Sequence, residues 1–133
     1  MTTALWPLQF AVVSKLRARS TLMELISGVF DEVPEDKAHP YVTAGSITET
    51  VADAHNQRGL DASVVLHIWS KYPGYKEAAE ILAELDAALD RQALAVAGFK
   101  DVSIAHEQHT ELRDPDPEIR HINVSYRVWL TKI

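Results

Sequence analysis

The stretch LDASVVLHIWSK, from Leu60 to Lys71, decides the fold because apolar and polar side chains alternate along it. Successive side chains of a β-strand point to opposite faces, so this alternation predicts a strand with one buried face. The predicted buried face carries Leu60, Ala62, Val64, Leu66 and Ile68, and the predicted polar face carries Asp61, Ser63, His67 and Lys71. The stretch therefore predicts a sheet that other elements cover on one side.

Further strands are predicted on both sides of this stretch. Downstream, residues 99–112 and 118–132 predict two strands joined by the turn Asp114-Pro115-Asp116-Pro117. The last strand alternates clearly, with one face carrying Ile122, Val124, Tyr126, Val128 and Leu130. Upstream, the β-branched residues of 41–51 predict a strand, and the polar residues 53–59 predict a hairpin loop.

Two main helices are predicted from apolar residues at helical spacing. The first covers residues 5–19, and so little of it is polar that it needs cover on more than one side, from its own domain or from a neighbour. The second covers residues 75–92, and its predicted buried stripe is Ala78, Ile81, Leu82, Leu85 and Leu89. Between them, Thr21 and Glu24 form a capping-box pattern, which predicts a short helix ended by Gly28.

The order of these elements is α-β-β-β-α-β-β, with the short apolar piece Val29–Phe30 as the first strand. This order predicts an α+β fold, a mostly antiparallel sheet with the two main helices packed on one face. The chain has no internal repeat and no long linker, so residues 1–133 are predicted to form one domain. We expect one core that contains Val64, Leu66, Ile68, Leu82, Leu85, Val124, Tyr126 and Val128.

Composition excludes several classes of function. The chain has no cysteine, which excludes disulfides, cysteine-type zinc sites and thiol chemistry. Its net charge of −6 argues against binding nucleic acid by phosphate neutralisation, so we expect no sequence-specific nucleic-acid partner. The apolar N-terminal stretch is interrupted by Pro7 and Gln9 and is too short to span a bilayer, so we expect a soluble protein without a membrane partner.

No motif nominates an enzyme, and we expect no catalytic residues, no metal and no cofactor. The chain lacks a Walker loop, a GxGxxG turn, a nucleophile elbow and an HExxH helix. His106 and His109 have the spacing of metal ligands, but residues three apart on a regular strand point to opposite faces, so we expect them not to share an ion. The acidic turn at 114–118 is stiffened by prolines and lacks the glycine of a calcium loop.

Two tryptophans, two polar loops and two residues of the acidic turn are the candidates for binding. Trp69 and Trp129 lie on polar strand faces, where either the first helix or a core edge covers them, or they anchor a subunit interface. Loops 32–40 and 52–59 lack a hydrophobic period, so we expect them to be mobile in the free protein and to order on assembly. The candidate assembly-interface residues are Glu35, Asp36, Lys37, His39, Asp53, His55, Asn56, Gln57, Arg58, Trp69, Asp114, Asp116 and Trp129.

Taken together, these segments resemble the tail-completion family of long-tailed phages. The resemblance is carried, in chain order, by Ser20-Thr21-Leu22, Val29-Phe30-Asp31, Pro40-Tyr41-Val42, Leu66-His67-Ile68-Trp69-Ser70, Ala78-Ala79-Glu80-Ile81, Ala97-Gly98 and Arg113-Asp114-Pro115-Asp116. No single segment is diagnostic, but the ordered set spans residues 5–130 at consistent spacings.

The resemblance implies a structural role in the virion. It implies a monomer in the host cytoplasm that becomes a hexameric ring on the finished tail tube, at the interface between head and tail. The implied partners are the tail tube protein, the head-completion protein of the portal complex and other copies of the chain, with DNA passing through the ring. A minor tail protein or tail chaperone remains an alternative, as does a small α+β enzyme or ligand-binding domain with a pocket between sheet and helices.

Overall fold

A five-stranded mixed sheet with helices on one face is the frame of the computed structural model, which describes residues 3–133. The elements in chain order are α1 (Leu5–Arg17), α2 (Ser20–Met23), β1 (Val29–Phe30), β2 (Tyr41–Val51), β3 (Gly59–Ser70), α3 (Lys76–Leu89), β4 (Phe99–Arg113) and β5 (Arg120–Lys132). This is the predicted α+β class and the predicted order of main elements. The two main helices end two and three residues earlier than predicted.

The strands lie side by side in the order β1-β2-β3-β5-β4. Among the strands of residues 3–133, only the short β1 pairs in parallel, with the start of β2, and the other three pairings are antiparallel. β3 and β5 are the central pair, and they stay in register from Gly59 opposite Thr131 to Ser70 opposite Arg120. The two sequence stretches with the clearest alternation therefore form the middle of the sheet, as expected for strands with one buried face.

One hydrophobic core fills the space between the sheet and the helices. The inward-facing residues of β3 and β5 are buried, and so is Leu85 of α3, which is 0% exposed. Of the eight residues predicted for this core, seven are buried, and Leu82 is half-buried against its edge. α1 packs beside α3 on the same face, toward β1 and β2. The opposite face of the sheet carries no helix in the part of the chain that the structure describes.

The predicted capping box at the start of α2 is wrong. Arg19, not Thr21, is the residue before the helix, and Glu24 follows its end. The Thr21 hydroxyl donates instead to Glu84 of α3 across 2.9 Å, because tertiary packing offers it a carboxylate partner. Gly28 lies outside the helix, where an added Cβ would approach the Phe30 ring to 2.4 Å, so this glycine permits a close contact instead of a helix end.

Among the helices of residues 3–133, none is long and apolar enough to cross a membrane.

Candidate assembly surface

The face of the sheet opposite the helices, here called the open face, carries both candidate tryptophans. Trp69 stacks on the ring of His121, with centroids 3.8 Å apart and planes 16° apart. Its indole nitrogen donates to the Thr43 hydroxyl across 3.0 Å. Trp69 is therefore half-buried by neighbours in its own sheet. The alternative that the first helix covers it is wrong, because that helix packs on the other face.

Trp129 lies near the other end of the open face and is 40% exposed. The Arg127 guanidinium lies 5.0 Å from the centroid of its ring, and the same guanidinium donates from Nε to Asp61 across 3.0 Å. The hydrogen bond from Arg127 holds the pKa of Asp61 below its usual value. Trp129 lies eight residues along β5 from His121, the residue opposite Trp69, which is a separation of about 26 Å along the strand. The two tryptophans therefore form separate sites.

A histidine pair lies beside Trp69 on the open face. His67 Nδ1 and His121 Nε2 are 2.7 Å apart, a hydrogen bond in which one ring donates and the other accepts. Burial lowers the pKa of both imidazoles, and the proximity of His67 lowers that of His121 further. Both shifts favour the neutral, hydrogen-bonded form of the pair.

Exposed apolar side chains concentrate at one end of the sheet, where β2 and β5 finish and β3 and β4 begin. This apolar end consists of Leu5, Trp6, Phe10, Val51 and Ile133, each at least 51% exposed. Hydrogen bonds fix it: the Ala4 amide donates to Glu49 of β2, and the Ile133 amide donates to the Gly98 carbonyl. A groove of about 640 Å³ opens there between α1 and the chain that leads into β4, lined by Trp6, Pro7, Phe10, Leu94, Phe99 and Ile133 among others.

The hairpin loop between β2 and β3 projects from the same end. Asp53, His55, Asn56, Gln57 and Arg58 are all exposed. The loop is closed by its own hydrogen bonds: Ala54 and Gln57 exchange two backbone bonds of 3.1 and 3.0 Å, and the Asp53 carboxylate accepts from the Gly59 amide. Asn56 adopts φ +61°, a conformation that asparagine tolerates in turns.

The opposite end of the sheet, here called the acidic end, carries the loop 31–40 and the turn 114–119. These two segments contain seven carboxylates, four plus three, and one lysine. Glu35, Asp36, Lys37 and Asp116 are exposed, while His39 and Asp114 are half-buried. Burial and the charge of Lys71 lower the pKa of His39, while the charge of Asp116 acts in the opposite direction.

The structure thus divides the predicted interface residues between two ends. Glu35, Asp36, Lys37, His39, Asp114 and Asp116 lie at the acidic end with Trp69, and Asp53, His55, Asn56, Gln57 and Arg58 lie at the apolar end with Trp129. Sequence reasoning included none of the exposed apolar side chains that form the apolar end among the interface residues. Its one sequence signal is the nearly all-round apolar α1, whose outer side, at Trp6 and Phe10, is more than half exposed.

The expectation that His106 and His109 face opposite sides is wrong. β4 is not regular between them, because its pairing with β5 shifts by one residue between His106 and Gln108. A bulge of this kind inserts one residue and returns the next ones to the same face. The two rings meet edge to face, with centroids 5.1 Å apart.

Comparisons with known proteins identify relatives of this fold. The family model described as "Tail completion protein gp17" matches residues 10–131. A chain in the virion of a native gene transfer agent particle superposes with a TM-score of 0.86 at 25% identity, covering 93% of this chain and 94% of that one. The gp17 protein of bacteriophage SPP1 superposes with a TM-score of 0.62 at 23% identity, covering 98% and 91%, and this second likeness shows the fold alone. A search of curated proteins gave no match.

Proposed function

Because the chain belongs to the tail completion protein gp17 family, whose members are structural proteins of phage tails, we propose that it closes the finished tail tube and joins the tail to the head. The observation that carries this proposal is the family match itself, which runs from α1 to β5. The chain is accordingly a structural component of the virion tail. The 25% identity to a chain of the gene transfer agent virion supports a place in an assembled particle.

In the proposed joint, six copies form a ring between two different partners. The tail tube protein binds on one side, and the head-completion protein of the portal complex binds on the other. A joint of this kind needs two chemically distinct surfaces on each copy, because its two partners differ. The apolar end and the acidic end are two such surfaces, and they lie at opposite ends of the same strands.

DNA passes through the proposed ring without being held there. A net charge of −6 disfavours the counterion release by which basic proteins bind DNA phosphates. The same net charge keeps free copies in solution as monomers in the host cytoplasm before the tube is complete. On this proposal, a finished tube provides the surface on which copies come together.

The test is electron microscopy of lysates from a phage that lacks this gene. We expect DNA-filled heads and tails that do not join, and normal particles when the unmodified chain is supplied from a plasmid. The variant Trp6→Ser with Phe10→Ser removes the most exposed rings of the apolar end, at 64% and 60% exposure, and should fail to restore joining. Leu25→Ser, which changes an exposed apolar side chain of 37% exposure outside that end, is the matched control. Joined, infectious particles in the absence of the chain would contradict the proposal.

A further inference from the structure

A second histidine pair lies on the helix side of the sheet and has the geometry of a metal chelate. The bulge in β4 brings Nδ1 of His109 to 3.1 Å from Nε2 of His106. Metal ions bind imidazole nitrogens at about 2.0–2.1 Å, so one ion bound to both atoms would subtend an angle of about 100°, between the octahedral and tetrahedral values. The His106 ring is half-buried, while His109 is exposed and open to solvent.

The other nitrogen of His106 is already held by a carboxylate. Asp86 Oδ1, on α3, lies 2.7 Å from His106 Nδ1, and it also accepts the hydroxyl of Tyr126 across 2.6 Å. The hydrogen bond to Asp86 keeps the proton of His106 on Nδ1 and leaves a lone pair on Nε2, the atom that faces His109. A carboxylate behind a histidine ligand in this way orients the ring and raises its basicity in metalloproteins.

We propose that His106 and His109 bind one divalent transition-metal ion of the Zn²⁺ and Cu²⁺ class, with Asp86 as the positioning residue. Imidazole nitrogens select this class over Mg²⁺ and Ca²⁺, which require oxygen ligands. Within residues 3–133, no third histidine or carboxylate is placed to bind the same ion, so this chain supplies two ligands. The remaining coordination positions open toward solvent on the edge strand β4, where water or a donor from another molecule can occupy them.

The open face provides an internal comparison, since it carries the other close histidine pair. Nδ1 of His67 and Nε2 of His121 are only 2.7 Å apart, and the ring of His121 is covered by the Trp69 ring. Among the hydrogen bonds of residues 3–133, neither ring of that pair bonds to a carboxylate. Gly45 also packs closely on His67, since an added Cβ there would lie 2.8 Å from its Nε2. The proposal therefore assigns the ion to His106 and His109 and not to the pair beside Trp69.

Calorimetric titration of the metal-free full chain with Zn²⁺ and with Cu²⁺ tests the proposal. We expect one ion per chain, tighter binding of Cu²⁺ than of Zn²⁺, and no binding of Mg²⁺. His109→Ala, at an exposed position that should not disturb folding, should weaken Zn²⁺ binding at least tenfold. Asp86→Asn keeps the side-chain volume and should weaken it by about 10–100-fold, as expected for a carboxylate that orients a ligand. The Cu²⁺ complex should show nitrogen hyperfine coupling in its paramagnetic resonance spectrum, and His109→Ala should remove part of it.

Two matched controls distinguish this pair from the other histidines. His121→Gln alters the open-face pair, and His55→Gln alters an exposed histidine in the β2–β3 hairpin loop. Both should bind Zn²⁺ as the unmodified chain does. The assignment is overturned if the unmodified chain shows no saturable binding, if His109→Ala binds as tightly as the unmodified chain, or if only His121→Gln loses the ion. None of these results depends on the role of the chain in joining heads to tails.

Discussion

The phenolic oxygen of Tyr126 lies 2.6 Å from Oδ1 of Asp86, which joins the buried face of β5 to helix α3 through a single hydrogen bond. Tyr126 is fully buried and is the largest such side chain in the core of the described residues. Burial, with Asp86 beside it, raises the pKa of Tyr126 above its usual value, so the hydroxyl keeps its proton and remains a donor. The same carboxylate oxygen bonds to His106 of β4, so one residue of α3 is joined to two neighbouring strands, β5 and β4.

Replacing Tyr126 by Phe should lower the free energy of unfolding by about 1.5–3 kcal/mol, the usual contribution of a hydrogen bond to a charged group. The aromatic ring and its packing are preserved, so the change isolates the hydroxyl. Urea unfolding followed by circular dichroism measures the difference. Tyr72→Phe, at a tyrosine that is 46% exposed, is the matched control and should unfold as the unmodified chain does. An unchanged stability in Tyr126→Phe would mean that the bond to Asp86 contributes nothing.

Replacing Leu85 by Ala should cost about 2–5 kcal/mol, because the side chain is completely buried between α3 and the sheet and its loss leaves a cavity. Glu80→Ala, on the exposed side of the same helix, controls for changes in helix propensity and should shift stability by less than about 0.5 kcal/mol. The same urea unfolding experiment measures both variants. Equal effects of the two substitutions would contradict the burial of Leu85 between α3 and the sheet.

Stability should fall as the pH is lowered through the range in which histidine titrates. The pKa values of His39, His67 and His121 are lowered from the ordinary 6.5, chiefly by burial. The unfolded chain then binds more protons than the folded one, so the free energy of unfolding rises with pH. The stability that these neutral histidines contribute to the folded state is complete above pH 6.5 and is lost as the pH falls below that value. Unfolding free energies between about pH 7.5 and about pH 5.5 measure it.

The double variant His67→Gln with His121→Gln identifies the source of that pH dependence. It removes both members of the open-face pair, so its stability should change less with pH across the same range than that of the unmodified chain. If the unfolding free energy of the double variant depends on pH as strongly as that of the unmodified chain, the open-face histidine pair is not the source of that dependence.

The sequence alone predicted the central strands and the core because their side-chain period is strict. The alternation of Leu60 to Ile68 and of Ile122 to Leu130 placed the same residues inside that the structure buries. A one-residue shift of either strand would expose its entire apolar set, so the pattern determines the register without any tertiary information. α3 was predictable for the same reason, since Ile81, Leu85 and Leu89 repeat at helical spacing.

The side-chain contacts of the candidate surfaces and of the His106–His109 pair could be predicted less well, because they depend on segments that are distant in sequence. Thr21 has a capping pattern with Glu24, but the carboxylate that it reaches comes from Glu84, 63 residues away. The bulge that joins His106 to His109 has no marker in the spacing of the two residues. The cover of Trp69 comes from His121 and Thr43 on neighbouring strands. The roles proposed for the loops at the two ends remain predictions.

Shortening the β2–β3 hairpin loop should separate assembly from stability. Residues 54–57 can be replaced by a two-residue turn, because Ala54 and Gln57 bond to each other and these residues contribute no buried side chain to the core. Asp53 and Arg58 are kept, since the Arg58 carbonyl accepts the Lys132 amide of β5 across 2.7 Å. The thermal unfolding midpoint should stay nearly unchanged, while heads and tails should fail to join in a complementation assay. Joined, infectious particles would show that the loop has no assembly role, and an unfolded variant would show that it is structural.

A reconstruction of the junction of head and tail by electron cryomicroscopy would show directly whether the proposed ring exists. We expect one closed ring of six copies of this chain between the last ring of the tail tube and the head-completion protein, with an open channel for DNA along its axis. Density for this chain elsewhere along the tail, or a junction built without it, would rule out the proposed ring.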